Sequence, residues 1–239
     1  MFSFNSDKYD FWLIYEKIKQ FYPIGIRQDE SCLFASYSGQ KDLEKIIVDN
    51  IHENGNFRTR WTNFTDEIAE EINKEVIGTT YGQAPCFSSS IVLGTENLAN
   101  LTRTKELHFL VSLVGPFYSI VGTDSNLVTI ENKYFTSTNF LTVSPEKEYL
   151  SLFPILCEKI EIRFKNFRFV PFWIYAQTLD GLEVKYSNDK LSTIFNAIFN
   201  NQIDLTANIQ GDKYYKSEDW IRTGYVDEGD KWTSYPPMT

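Results

Sequence analysis

The chain is poor in the residues from which most enzyme sites are built. Its 239 residues include two histidines and three cysteines. Cys32, Cys86 and Cys157 are odd in number and far apart, which argues against a disulfide framework and against a zinc knuckle with closely paired cysteines. Free thiols in a reducing cytosol are the expectation. His52-Glu53 opens like a zincin helix, but no second histidine follows four residues later. There is no Gly-x-Ser-x-Gly elbow, no Gly-x-x-x-x-Gly-Lys-Ser/Thr loop and no Gly-x-Gly-x-x-Gly turn. Serine hydrolase and nucleotide-binding chemistry therefore have no support, and neither a metal nor a cofactor is expected.

Long hydrophobic runs are missing too. The longest, from 109 to 121, is broken by Gly115-Pro116 and falls short of the roughly 20 residues that cross a bilayer. Near the N-terminus the apolar residues 11–14 are hemmed in by Asp7, Lys8, Asp10, Glu16 and Lys17, so no secretory signal is predicted. Basic residues are also in deficit. Twenty-three Lys and Arg stand against 32 Asp and Glu, a formal net charge of −9. A polyanion demands a basic face, so direct nucleic-acid binding is disfavoured. The expectation is a soluble cytoplasmic protein without a membrane span.

What the chain has in surplus is aromatic: 19 Phe, 14 Tyr and 5 Trp, 16% of the residues. That favours a β-rich interior or an adhesive surface. Spacings of three and four residues predict a helix over 9–21 and a second one after Ser38-Gly39, closed by Asn54-Gly55. Alternation of Phe57, Thr59 and Trp61 with Arg58, Arg60 and Thr62 predicts a strand. A third helix is expected from Asn63 or Thr65 to Gly78, with Ile68, Ile72 and Val76 inward and acids near its positive end. From Gly82 onwards β-rich runs predominate, with an antiparallel meander over about 107–131 and turns at Gly115-Pro116 and 124–126. Residues 134–143 predict a further strand. Ser144-Pro145-Glu146 predicts a helix that stops near Pro154. Two strands over 160–164 and 167–178 follow, then a helix capped by Ser187 or Asn188 that carries Leu191, Ile194, Phe195, Ile198 and Phe199. The expected fold is a single α+β domain over 1–239, a mostly antiparallel sheet with amphipathic helices packed on it. The aromatic, acidic segment 205–239 is expected to pack on the main body.

Two features point to a partner rather than a substrate. Asp66, Glu67, Glu70, Glu71 and Glu75 form the densest block of one charge. Such a block either faces water or steers a basic partner. Trp220 and Trp232, with Asp227 and Glu228 between them, either cover the core or anchor an interface. Cys86 could meet His108 across a sheet as a thiol–imidazole pair, but free cysteine is more commonly a small buried hydrophobe. The expected class is thus a non-catalytic acidic protein that binds another protein, possessing the general character of bacterial immunity proteins that occlude a toxin's active site. The alternatives are an enzyme with a dispersed Asp/Glu site and a component of a phage or secretion assembly.

Overall fold

The computed structural model describes residues 2–4, 7–131, 133–185, 192–226 and 233–235. Its strands are β1 (Phe2–Phe4), β2 (Val76–Gly78), β3 (Cys86–Leu98), β4 (Leu101–Ser112), β5 (Phe117–Ile130), β6 (Lys133–Thr142), β7 (Arg168–Phe169), β8 (Asn208–Gln210) and β9 (Thr233–Tyr235). β1 and β9 form a separate antiparallel pair. The rest build a seven-stranded sheet in the order β2-β3-β4-β5-β6-β8. Neighbours from β2 to β6 run antiparallel, and β8 joins β6 in parallel. β7 pairs in parallel with the first two residues of β5, which β6 does not reach. The α+β fold is as the sequence predicts, and the meander is longer than expected. The polar residues 124–126, expected as a turn, lie inside β5 at a bulge: Asp124 pairs with Phe140 and Ser125 with Thr138. Their polarity marks where the sheet leaves the core, not where the chain turns.

Successive residues of a strand point to opposite faces, so one sheet can line two cores. Cys86, Leu110, Phe117 and Val121 belong to the first core, with Tyr22, Phe195 and Trp220 among its other members. Phe87, Phe109, Tyr118 and Ile120 belong to the second, with Trp61, Phe64, Phe153 and Ile160.

The helices are α1 (Trp12–Phe21), α2 (Ser31–Ser36), α3 (Ser38–Ile47), α4 (Asn54–Phe57), α5 (Asn63–Ile72), α6 (Leu152–Arg163), α7 (Phe172–Tyr175) and α8 (Ile194–Ile198). α1 buries Ile14, Tyr15, Ile18 and Phe21, the predicted stripe. The strand expected over 56–62 is helical instead. α4 continues through a π turn (Arg58–Thr62) into α5. Phe57, Trp61, Phe64 and Ile68 recur at steps of four, three and four, a helical period that outweighs the brief alternation. Trp61 stacks on Phe87 at 5.3 Å and 13°, and its indole N–H donates to Ser89 Oγ at 3.1 Å. Asn54-Gly55, expected to close the second helix, opens this one. α3 has already ended in a π turn (Val48–His52), and the Glu53 carboxylate accepts from the Gly55 and Asn56 amides as an N-cap.

Several further boundaries differ from expectation. α5 stops at Ile72 because Asn73 takes a left-handed conformation (φ 50°), and Val76 pairs with Ile91 as a strand residue. α6 begins at Leu152 with Pro154 in its first turn, where a missing N–H has no intrahelical acceptor to lose. It runs through residues 160–163, expected as a strand, because Ile160, Ile162 and Phe164 alternate with Glu161 and Arg163 in a strand-like period of two. Of 167–178 only β7 is extended; α7 begins directly after Pro171. α8 is capped by Thr193, whose side chain and that of Asn196 form a reciprocal capping box. The caps proposed at Ser187 and Asn188 fall outside the described residues.

Residues 205–226 contact both cores. Trp220 is 0% exposed and donates its indole N–H to the Phe169 carbonyl at 2.7 Å. Tyr215 packs edge-on against Phe153 and Phe169, and Tyr214 lies against Trp173.

Candidate binding surfaces

The acidic block lies where α5 packs beside α6, held there by Phe64 edge-on to Phe164 at 5.6 Å. Phe64 and Ile68 point into the second core, which leaves Asp66, Glu67, Glu70 and Glu71 exposed on the outer side of α5. Glu75 is exposed as well, but it lies beyond the helix, just before β2. α6 contributes Glu158, Lys159 and Ile162 to this surface. Lys159 binds Glu71 at 2.5 Å, and its ammonium pKa is raised first by that bond and further by Glu158 and Glu67. Among the described residues, Asp66, Glu67, Glu70 and Glu75 make no ion pair. Ile162, one turn beyond Glu158, is 63% exposed. On α6 it sits between Glu158, Lys159 and Arg163, an exposed apolar residue among mixed charges beside the acidic face of α5.

Of the other predicted contact residues, Trp220 belongs to the core and offers no surface anchor. Asp227, Glu228 and Trp232 lie outside the described residues. Glu158 and Ile162 were missed because their segment was read partly as a strand. Their four-residue spacing was the available signal.

A second surface comes from the sheet itself. Beyond Val92 and Thr123 the strands β3 to β6 extend past both cores and become exposed on both faces. Where they leave the core, a polar network crosses the sheet. The Arg103 guanidinium grips the Asp124 carboxylate through Nε, at 2.8 Å, and Nη2. Asn139 donates to Asp124 at 3.2 Å and accepts from Asn126 at 3.0 Å. The Arg103 hydrogen bonds, against some burial, hold the Asp124 carboxyl below its ordinary range. Lys105 binds Glu148 at 2.6 Å beside it. On the opposite face Ser90 Oγ donates to Glu106 at 2.7 Å, and His108 Nε2 lies 3.0 Å from Thr123 Oγ1. Burial pushes the His108 pKa down, partly opposed by Glu106.

Further out, Leu98, Leu127, Ile130, Tyr134 and Phe135 are exposed, Tyr134 by 72%. A groove of about 560 Å³ crosses the face that carries the network, between Glu96, Leu101 and Arg103 on one side and Asn139, Phe140 and Asn208 on the other. β8 covers β6 only at 140–142, so among the described residues no strand pairs with the outer edge of 133–139. No sequence signal gave this extension, because its strands carry polar and apolar residues on both faces.

The residues weighed for catalysis do not come together. Cys86 pairs across the sheet with Ser112 and His108 with Ser90, four residues further along both strands. Cys86 is fully buried, its thiol pKa raised by that burial. His52 Nε2 meets the Gly82 carbonyl at 2.7 Å. A partly exposed polar cluster joins α6 to the C-terminal segment: Glu161 bonds the Tyr118 hydroxyl and the Lys216 ammonium, which themselves lie 3.2 Å apart. Next to it, burial pushes the Cys157 thiol up to about 11, which keeps it protonated and unreactive at neutral pH. Among the described residues no group of three or more His, Cys, Asp or Glu is arranged to hold a metal ion, and no helix is long and apolar enough to cross a membrane. Compared with known protein families, curated protein sequences and solved structures, the chain has no significant match.

Proposed function

We propose that this is a non-catalytic binding protein that docks a basic protein on the outer surface of α5 and α6. In its narrowest form the reading is an immunity protein, which neutralises a toxin in the cytoplasm by covering the toxin's active site. The observation that carries it is the exposed row Asp66, Glu67 and Glu70 on α5, joined to α6 where Lys159 is already bound to Glu71. Carboxylates that outnumber the cations beside them raise the local negative potential. That speeds encounter with a basic surface and penalises acidic ones. Ile162 supplies apolar contact once the charges have aligned the partners. The three cysteines, all free thiols, are in keeping with a reducing compartment.

The test is titration against the purified product of the adjacent gene. A stoichiometric complex that weakens with salt is expected, and Glu67→Lys with Glu70→Lys should slow association by roughly tenfold or more at low ionic strength. Absence of a complex, or an association rate indifferent to both reversals, removes this reading. For the narrower form, the complex must also abolish the toxin's activity.

A further inference from the structure

We infer that the outer edge of β6 is a self-association site, at which a second copy of this chain pairs antiparallel about Thr136. The open edge runs from Lys133 to Thr138, short of the Asn139 carbonyl that accepts from the Asn208 side chain. A two-fold axis through Thr136 pairs residues 134–138 with the same residues of the second copy. Tyr134 then lies opposite Thr138 of the second copy, Phe135 opposite its Ser137, and Thr136 opposite its own mate. Aromatic–threonine and threonine–threonine pairs are favourable cross-strand neighbours. Every second residue of an antiparallel pair exchanges two backbone hydrogen bonds, so the contact adds roughly four to six.

The edge also lacks the devices that keep sheet edges apart. Residues 133–139 contain no proline and no central charge, and the bulge at Asn139 sits at their far end. Their single charge is Lys133. Two-fold pairing separates the two copies of Lys133 by about 20 Å, beyond the screening length at physiological salt. The pairing therefore brings no like charges together. The acidic surface of α5 adjoins β2 and β3, the opposite margin of the sheet, and stays clear of the second copy.

The open edge of β3 is the competing site, and it is a poor one. Residues 93–98 include Gly94, which weakens a strand, and Glu96 near the middle, which self-pairing would bring close to its mate. The occupant of β6 is therefore another β6.

Sedimentation velocity over a concentration series tests this on the full chain. A concentration-dependent dimer is expected. Thr136 is exposed, so Thr136→Lys should keep the native circular dichroism. It should weaken the dimer by roughly tenfold or more, since like charges then face each other across the axis. Thr95→Lys, exposed on β3, should leave the dimer intact. Independently of folding effects on that variant, Thr136→Cys in a Cys32→Ser background should give a covalent dimer under mild oxidation, whereas Thr95→Cys should not. A parent chain monomeric at every concentration up to its solubility limit overturns the inference. So does a dimer that survives Thr136→Lys, or one broken by Thr95→Lys alone.

Discussion

The Tyr149 ring occupies the space that a side chain at position 122 would need: a Cβ there would lie 2.8 Å from two of its ring atoms. Gly122 is fixed in the middle of β5, and the Tyr149 hydroxyl donates to the neighbouring Thr123 carbonyl at 2.9 Å. The ring closes the second core at the point where the sheet begins to project.

Gly122→Ala should therefore destabilise the fold by about 1–3 kcal/mol through overpacking, although alanine suits a strand no worse than glycine. Urea unfolding measures it. In a Tyr149→Leu background the same change should cost much less, and equal costs in both backgrounds would show that the ring is not the obstacle.

Trp61→Ala should cost about 3–5 kcal/mol, the range for emptying a large aromatic site in a packed core. Ser89→Ala removes only a hydroxyl, yet it leaves the buried indole N–H without its acceptor, for about 1–3 kcal/mol. Loss of near-ultraviolet circular dichroism should accompany the first change and not the second.

His108 makes stability depend on pH. Burial holds its folded pKa below the ordinary 6.5, so the unfolded chain binds a proton that the native chain resists. This contribution is complete above the unfolded pKa and is lost as pH falls below it, with a slope of at most about 1.4 kcal/mol per pH unit. His108→Gln should flatten the stability profile between about pH 7 and pH 5. Asp124, depressed by Arg103, adds a separate loss on the acid side of its ordinary 3.8.

The three thiols should separate by accessibility. Cys32 is exposed, while Cys86 and Cys157 are buried and shifted upward. A chromogenic thiol reagent should label Cys32 alone in the native protein and all three in denaturant. Rapid native labelling of Cys157 would mean that the cluster around Glu161 opens readily.

The α+β class was legible because long β-rich runs and helical stripes separate cleanly along the chain. The Trp61 segment was not, since six alternating residues imitate a strand and only the longer run from Phe57 to Ile68 shows the helical period. α6 was obscured in the same way: its second half alternates Ile160, Ile162 and Phe164 with Glu161 and Arg163, and Ile162 breaks the helical stripe by facing solvent. Of the candidate surface, the acids on α5 could be read directly, because their apolar partners fixed which side was inward. Ile162 and Glu158 needed the tertiary contact between α6 and α5. The open edge of β6 needed the full strand order, since what leaves 133–139 uncovered is the shortness of β8, some seventy residues away.

The sheet that divides the two cores also has a reading frame. Ser88, Ser90, His108 and Ser112 share the face of Cys86 and Leu110, while Phe87, Ile91, Leu107 and Phe109 share the other. A slip of one residue in β3 or β4 would exchange those sets. Hydroxyls and an imidazole would be driven against Trp61 and Phe64, and phenylalanines would lose their aromatic neighbours. The small polar residues inside the sheet thus act as punctuation, so that an inserted or deleted residue there scrambles both cores at once.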